Sequence, residues 1–352
     1  MTTETAPTIA APELEAWAGA LLRASGLAAA AADTVAHSLV DASLRGVDSH
    51  GILRLPVYSR RLTEGLMNAD PHPRVIREHG AVGLVDGDEG PGSVAGVFAT
   101  DVALRLAAEH GVGAVGVRRS SHYGAAGYYV RRAARAGFVA LSTTNAEPMV
   151  VPFGGAGWAL GTNPLALGAP RRGGTFEMDM ATSQVAIGKI FLAREKGTAI
   201  EPGWAVDGDG APTTDPHLAV SGVPLGGYKG FALALLVEIL SGVLSGSGVT
   251  QGIGRMYDDW DRRQDVGHFV LVLDPERTVG RERFVDLLEG LLAEMKAIPP
   301  APGHDEVLVP GEPEDRRAAE RAVSGIPLPP AVRATLEELS ATLGVAVPTR
   351  PA

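Results

Sequence analysis

From about residue 80 the chain changes period. Short apolar, β-prone runs ("AVGLVDG", "GAVGVR", "FVALSTTN", "PLALGAP", "FEMDM", "HFVLVLD" and "EVLVP") stand between Gly, Pro, Asn or Asp. Longer runs of helical period are interleaved with them: "AGVFATDVALRLAAEHG", "GAAGYYVRRAARAG", "SQVAIGKIFLAREKG" and "KGFALALLVEILSGVL". Strands that alternate with helices require a sheet covered by helices, so the fold class is α/β. Some strand pairs lie too close in sequence for a crossover helix, and the sheet is expected to be mixed.

Upstream, residues 12–45 read as two amphipathic helices. In "PELEAWAGALLRASG", Leu14, Trp17, Leu21 and Leu22 share one face, and Gly26 marks the end. Gly46 stops the second helix. A third, "PVYSRRLTEGLM", opens on Pro56, which suits a first turn. Beyond the Pro-rich "AIPPAPGHDEVLVPGEPED", the runs "RRAAERAVSG" and "PPAVRATLEELSATLG" read as helices. The expected organisation is an N-terminal helical part over 1–78, a mixed-sheet domain over 79–310, and a C-terminal helical tail over 311–352 that packs back on the first part.

Composition narrows the partners. A net charge of −10 opposes binding to a phosphate backbone or an anionic bilayer, so neither nucleic acid nor membrane is expected as a partner. The chain has no cysteine, which removes disulfides, thiolate metal sites and a catalytic Cys, and fits a cytoplasmic protein. Met1–Thr8 is polar and does not resemble a signal peptide. The most apolar run, Phe231–Val243, carries Glu238 and is too short to span a bilayer. The nine histidines show no H-x₃-H or H-E-x-x-H spacing, so no metal is expected.

"GVGAVGVRRSSHYG", Gly111–Gly124, contains G-x-G-x-x-G. A dinucleotide fingerprint needs a strand, then the glycine turn, then a helix. Here a helical run precedes Gly111 and a strand-like run follows it. Gly111 therefore reads as a helix C-cap. The following Arg118, Arg119, Ser120, Ser121 and His122 sit where a strand meets a helix starting near Gly124, a position suited to anions. In the alternative reading Ser121 caps that helix and His122 is a surface loop residue.

"DSHGILR" places Asp48, Ser49, His50 and Arg54 in one short loop. Histidine titrates near neutrality and passes protons, and Arg54 can grip a carboxylate through two parallel hydrogen bonds. This is the equipment for a 2-oxo acid: a carboxylate clamp beside a proton donor. Alternatively, Asp48 or Ser49 is a helix N-cap and Arg54 is solvated. No G-x-S-x-G elbow supports a serine hydrolase. Further along stand the glycine-dense Pro152–Pro170 with a Thr162-Asn163-Pro164 turn, Asp179 at a strand end, Lys189 on a helix, and Lys229-Gly230 at a helix start.

Together, "RGVDSHGILRLPVYSRRLTEGLMN", "VRRSSHYGAAGYYVRRAARAGFVALSTTN", "LGTNPLALGAP", "DMATSQVAIGKI", "LGGYKGFALALLVEILSG" and "VLVPGEPE" resemble the malate/L-lactate dehydrogenase-like family, over roughly residues 10–345. The resemblance implies NAD- or NADP-dependent hydride transfer on a non-Rossmann, L-sulfolactate dehydrogenase-like fold. It also implies a homodimer with the site in a cleft between domains. On this basis His50 is the proton donor/acceptor, Ser49 its hydrogen-bonding partner, and Arg54 the binder of a small-molecule carboxylate substrate. His122, Tyr123, Gly124, Ala125 and Ala126 form a cofactor turn, with His122 a competing acid/base. Thr162 is a substrate-side contact. Asp179, Met180 and Ala181 face the nicotinamide and ribose, Lys229 and Gly230 the phosphates, and His304, Asp305 and Glu306 the last part of the cofactor. Lys189 takes a position where some imine-reducing members carry an acid that relays to Ser49. A lysine there favours a 2-hydroxy/2-oxo acid over a cyclic imino acid such as piperideine- or pyrroline-2-carboxylate. Arg118 and Arg119 are candidates for a 2′-phosphate. A non-catalytic nucleotide-binding protein on the same fold is the alternative from another class.

Overall fold

A computed structural model describes residues 7–348, so most of the polar Met1–Thr8 start and residues 349–352 lie outside the described residues. The chain opens with β1 (Thr8–Ile9), α1 (Ala11–Ala24) and α2 (Ala29–Leu44). Two single 3-10 turns, Asp48–His50 and Ile52–Arg54, lead into α3 (Leu55–Thr63). Then come β2 (Arg74–His79), β3 (Val82–Asp86), α4 (Gly92–His110), β4 (Val112–Ser120), α5 (Gly127–Arg135) and β5 (Val139–Thr144). The hairpin β6 (Leu165–Arg171) and β7 (Gly174–Met180) precedes α6 (Ile187–Lys196). Short strands β8 (Ala205–Val206), β9 (Pro212–Thr213) and β10 (Ser221–Gly222) lie before α7 (Tyr228–Glu238). The chain ends with β11 (Val266–Leu273), α8 (Arg281–Lys296), α9 (Glu312–Ser324), β12 (Ile326–Pro327) and α10 (Pro330–Leu343).

The main sheet has seven strands in the order β2-β3-β4-β11-β5-β6-β7. Only β3 and β4 run parallel; the other neighbours are antiparallel. The sheet is mixed, as the close strand spacing requires. Val115, Val117, Val270 and Val272 from β4 and β11 pack on Ala99, Ala103 and Leu106 of α4 and on Val130 of α5. A second core joins the chain's two ends: Leu14, Trp17, Leu22, Val35 and Leu39 bury against Ile326, Leu328 and Leu336. Trp17 Nε1 donates to Ser340 Oγ at 2.9 Å, and β1 pairs antiparallel with β12.

The glycine pattern resolves into packing. Gly111, at φ +84°, ends α4 with its N–H on the Ala107 carbonyl at 2.7 Å. At Gly113 a Cβ would lie 2.1 Å from the Ala103 carbonyl oxygen, so glycine lets β4 lie directly against α4. Gly113→Ala should therefore cost about 1–3 kcal/mol, the range for forced overpacking, read as a lower urea midpoint at unchanged slope.

Three expectations need correction. "EVLVP" is not a strand; no neighbour pairs with it and it crosses as coil. The structure adds β2 and α8, which the strand and helix patterns above omit. In β2 only Val75 and Ile76 are apolar, on an edge strand with one partner, and α8 buries only Leu292. Helix α5 begins at Gly127 rather than near Gly124, because residues 121–125 form an extended turn.

Candidate active site

The loop after α2 is fixed to that helix: Ser43 Oγ accepts the Ile52 N–H at 3.0 Å. Its 3-10 turns place Ser49 Oγ 3.0 Å from His50 Nδ1. His50 stacks on His122, with ring centroids 5.6 Å apart and planes 15° from parallel. The loop and the β4–α5 turn, distant in sequence, thus bring both candidate histidines together. His122 Nδ1 lies 2.6 Å from the hydroxyl of Tyr58, and its backbone N–H donates to Gln264 Oε1 at 3.2 Å. Arg54 donates Nε to the Ser49 carbonyl at 2.7 Å and Nη1 to the Tyr257 hydroxyl.

Both imidazoles are held neutral. His50 is only half-buried by accessible surface, yet protein crowds the ring; that loss of hydration, with the Arg54 charge beside it, pushes its pKa down to about 4. Burial, then Arg54 and His50, lowers His122 well below its ordinary value. His268 lies behind them, with Nε2 2.8 Å from Ser120 Oγ and Nδ1 2.8 Å from Thr144 Oγ1, and burial pushes it to about 3. Linkage gives the sign. As pH falls from 6.5 towards 4, the unfolded chain takes up protons that native His50 and His268 refuse, so stability falls. Thermal midpoints measured between neutrality and that pH should decline, and His268→Gln should flatten the decline.

Beside His50 opens a cleft of about 580 Å³. Gly124, Ala125 and Ala126 form one wall, Thr162 and Asp179–Ala181 another, and Leu308–Gly311 with Pro313 and Glu314 a third. Asp179, at the end of β7, accepts the Gly127 N–H at 2.7 Å. Its carboxylate is open to the cleft but walled by protein, and the wall raises its pKa despite that hydrogen bond; the nearby Glu177 charge adds to the rise. The backbone N–H groups of Ala125 and Ala126 have no acceptor among the described residues. A wall of small side chains with free donors suits a flat amide-bearing ring, so the residues present fit the nicotinamide end of a dinucleotide.

The wall is tied to the rest of the molecule by buried ions. Glu177 accepts from Arg45 at 2.8 Å and from Arg131 at 2.6 Å; Arg131 also pairs with Asp41, and Arg45 with Asp315 at 2.8 Å. One carboxylate thereby links α2, α5, β7 and α9.

Several expected residues fall elsewhere. Tyr123 is a core residue, stacked at 4.0 Å between Tyr129 and His268, with its hydroxyl 2.9 Å from Ser142 Oγ. Lys189 is exposed on α6, its Nζ 5.8 Å over the Trp204 ring. Lys229 is exposed on the first turn of α7, and Gly230 packs on the Leu225 backbone; neither lines the cleft. His304, Asp305 and Glu306 are exposed, and Glu306 pairs with Arg316 and with Lys296 at 3.4 Å. The chain reaches the cleft only from Leu308 onward. Arg118 and Arg119 are engaged by Asp86, at 3.7 and 3.1 Å. His122 is half-buried in the β4–α5 turn, its ring against Tyr58 and His50, and no side chain caps α5. Tyr58, Tyr257 and Glu177 carry the site's geometry without any sequence expectation; Tyr58 and Glu177 lie close to the motifs, whereas Tyr257 has no such signal.

The family model described as malate/L-lactate dehydrogenase matches residues 9–337. The chain belongs to the malate/L-lactate dehydrogenase family. Ureidoglycolate dehydrogenase (NAD(+)) of Escherichia coli (strain K12) is 39% identical over 303 residues, 86% of this chain and 87% of that protein. The sulfolactate dehydrogenase of Methanocaldococcus jannaschii has the same fold, with a TM-score of 0.90 at 36% identity, covering 96% of this chain and 98% of that one. The Δ1-piperideine-2-carboxylate reductase of Pseudomonas syringae pvar. tomato gives 0.84 at 30% identity, covering 94% and 99%. In this family member, as in the sequence expectation, the sheet is mixed and the glycine pattern lies in a helix–strand junction rather than a phosphate turn.

Proposed function

We propose that the protein is an NAD(P)-dependent oxidoreductase that interconverts a 2-hydroxy acid of the malate or lactate type and its 2-oxo acid. The observation that carries this reading is the neutral His50, stacked on His122 beside Arg54 at the mouth of a cleft walled by small residues. With Nδ1–H donating to Ser49 Oγ, His50 Nε2 holds the lone pair that takes the proton of the substrate hydroxyl. Arg54 keeps Nη2 and a second Nη1 proton free for the substrate carboxylate. Thr162 contributes a hydroxyl from the far wall. Gly124–Ala126 and Asp179–Ala181 would hold the nicotinamide, which when bound supplies the hydride chemistry. The proposed division of labour places the substrate loop in 1–78, the cofactor wall in 79–310, and a covering tail in 311–352.

The test is a screen of L-malate, L-lactate, sulfolactate, ureidoglycolate, their 2-oxo forms and piperideine-2-carboxylate, with both cofactors, following absorbance of the reduced nicotinamide. Turnover of the hydroxy/oxo pairs is expected. Turnover of the cyclic imine alone would move the assignment to the imine reductases. Lys189, exposed over Trp204, offers no acid to Ser49, which favours the hydroxy acid.

The pH profiles follow from His50. Oxidation needs the neutral imidazole, so its kcat/KM should hold near neutrality and fall as pH drops through about 4. Reduction needs the protonated form, so its kcat/KM should rise as pH falls; parallel profiles in the two directions would remove His50 from the proton transfer.

A helix face that one chain leaves open supports a homodimer. Along α7 and the turn after it, Leu236, Ile239, Val243 and Leu244 are 43%, 55%, 64% and 62% exposed. Light scattering should give twice the chain mass. A cytoplasmic location is proposed on the cysteine-free composition.

A further inference from the structure

The segment after Gly254 holds an unusual anchor. Arg61, fully buried in α3, carries a guanidinium that donates to main-chain carbonyls rather than to a carboxylate. Nη1 reaches the carbonyls of Met256 at 3.1 Å and Asp259 at 3.0 Å, and Nη2 that of Arg262 at 2.9 Å. The neighbouring Arg60 lies 3.5 Å over the Trp260 ring, and Trp260 Nε1 in turn donates to the Tyr257 carbonyl at 2.9 Å. Within the segment, Asp259 accepts the Arg255 N–H at 2.9 Å, while Met256 is buried in the core shared with α1 and α2. The carbonyls on either side of Tyr257, those of Met256 and Asp259, are therefore held by a helix whose N-cap is Arg54 and whose first turns carry Tyr58.

At the tip of this braced segment stands Tyr257. The residue is 48% exposed, and its hydroxyl meets Arg54 Nη1. Its ring lies near the Arg54 guanidinium carbon, at 5.6 Å. A tyrosine with half its surface in water gains little by burial. What fixes it is the polar contact with Arg54 and the carbonyl contacts of its backbone. Arg54 is in turn fixed from two sides: Nε on the Ser49 carbonyl, Nη1 on Tyr257. A long, flexible cation is thereby restricted to one orientation with its remaining donors unspent. Holding a binding group before the ligand arrives removes the cost of ordering it on binding.

We propose that Tyr257 is a positioning residue for substrate recognition: braced by Arg61 and Trp260, its hydroxyl orients the Arg54 guanidinium toward the substrate carboxylate. This deepens the proposed function and rests on Arg54 as the carboxylate binder. Tyr257 acts before chemistry, on an ion that makes no contact with the transferred hydrogen. Its loss weakens substrate binding and leaves the proton transfer and the cofactor wall intact.

The experiment is a double-mutant cycle between Arg54→Lys and Tyr257→Phe in the full chain, using the best substrate of the screen above. Tyr257→Phe keeps the ring and should fold with an unchanged Tm, because the residue is half-exposed. Its KM should rise roughly tenfold, the size expected for one hydrogen bond to a charged group, with kcat and NADH affinity by fluorescence unchanged. In the Arg54→Lys background the same substitution should have no further effect on KM. An unchanged KM for Tyr257→Phe, or an equal rise in both backgrounds, overturns the positioning role while the Arg54 assignment stands. If Arg54→Lys itself leaves KM unchanged, the carboxylate clamp falls and Tyr257 falls with it. A loss of kcat or of NADH affinity in Tyr257→Phe also overturns the proposal, since it would place the residue in the reaction or the cofactor wall.

Discussion

His50→Ala should lower kcat for the 2-hydroxy acid by about 100- to 10,000-fold, the range supplied by one positioned acid/base. The substitution removes the ring nitrogen that Ser49 orients and opens space beside His122. It leaves the small-residue wall and Asp179 where they are, so NADH affinity should change little. His50→Gln keeps a hydrogen-bonding side chain without a titrating group and should be nearly as slow. An undiminished kcat would transfer the role to His122, whose Nδ1 is already held by the Tyr58 hydroxyl at 2.6 Å. His122→Gln and Tyr58→Phe would then show the larger losses.

Glu177→Ala should cost about 3–5 kcal/mol of stability, the range for breaking a buried ion pair from one side. The partners explain the size. Arg45 and Arg131 keep only 7% and 3% of their side-chain surface, so neither guanidinium can recover water when the carboxylate goes. Against a total stability of about 5–15 kcal/mol, that loss should lower Tm and the urea midpoint markedly. Cofactor affinity should fall as well, because Glu177 lines the cleft two residues before Asp179. Glu177→Gln removes the charge at nearly unchanged shape: its single carbonyl oxygen accepts from one arginine while its NH2 faces the other donor, so it should also be destabilising. A cost below about 1 kcal/mol, the scale of an exposed pair, would mean that the cluster is solvated and structurally idle.

Much of this architecture was legible because its signals are local. The apolar face of α1, the Gly111 cap and the alternation in β4 each depend on residues close in sequence. β2 and α8 escaped because elements that bury little write a weak apolar pattern. The loop with Ser49, His50 and Arg54 and the turn with His122 stood out for their chemistry, but their stacking is a tertiary fact. Tyr123 shows the limit from the other side. It lies between His122 and Gly124, where a cofactor contact was expected, yet its side chain points into the core between Tyr129 and His268. Tyr257 and Glu177 have no motif of their own; what they do is defined by partners far along the chain.

The joining of the two chain ends bears on biosynthesis. The second core contains Leu14 and Trp17, yet also Ile326, Leu328 and Leu336, which leave the ribosome long after α1–α3. Helices α1–α3, which carry the substrate loop, must therefore wait with an open apolar face until residues 326–336 have been made. A nascent chain stopped before β12 should expose that face to chaperones and have no catalytic activity, even with every candidate active-site residue already synthesised.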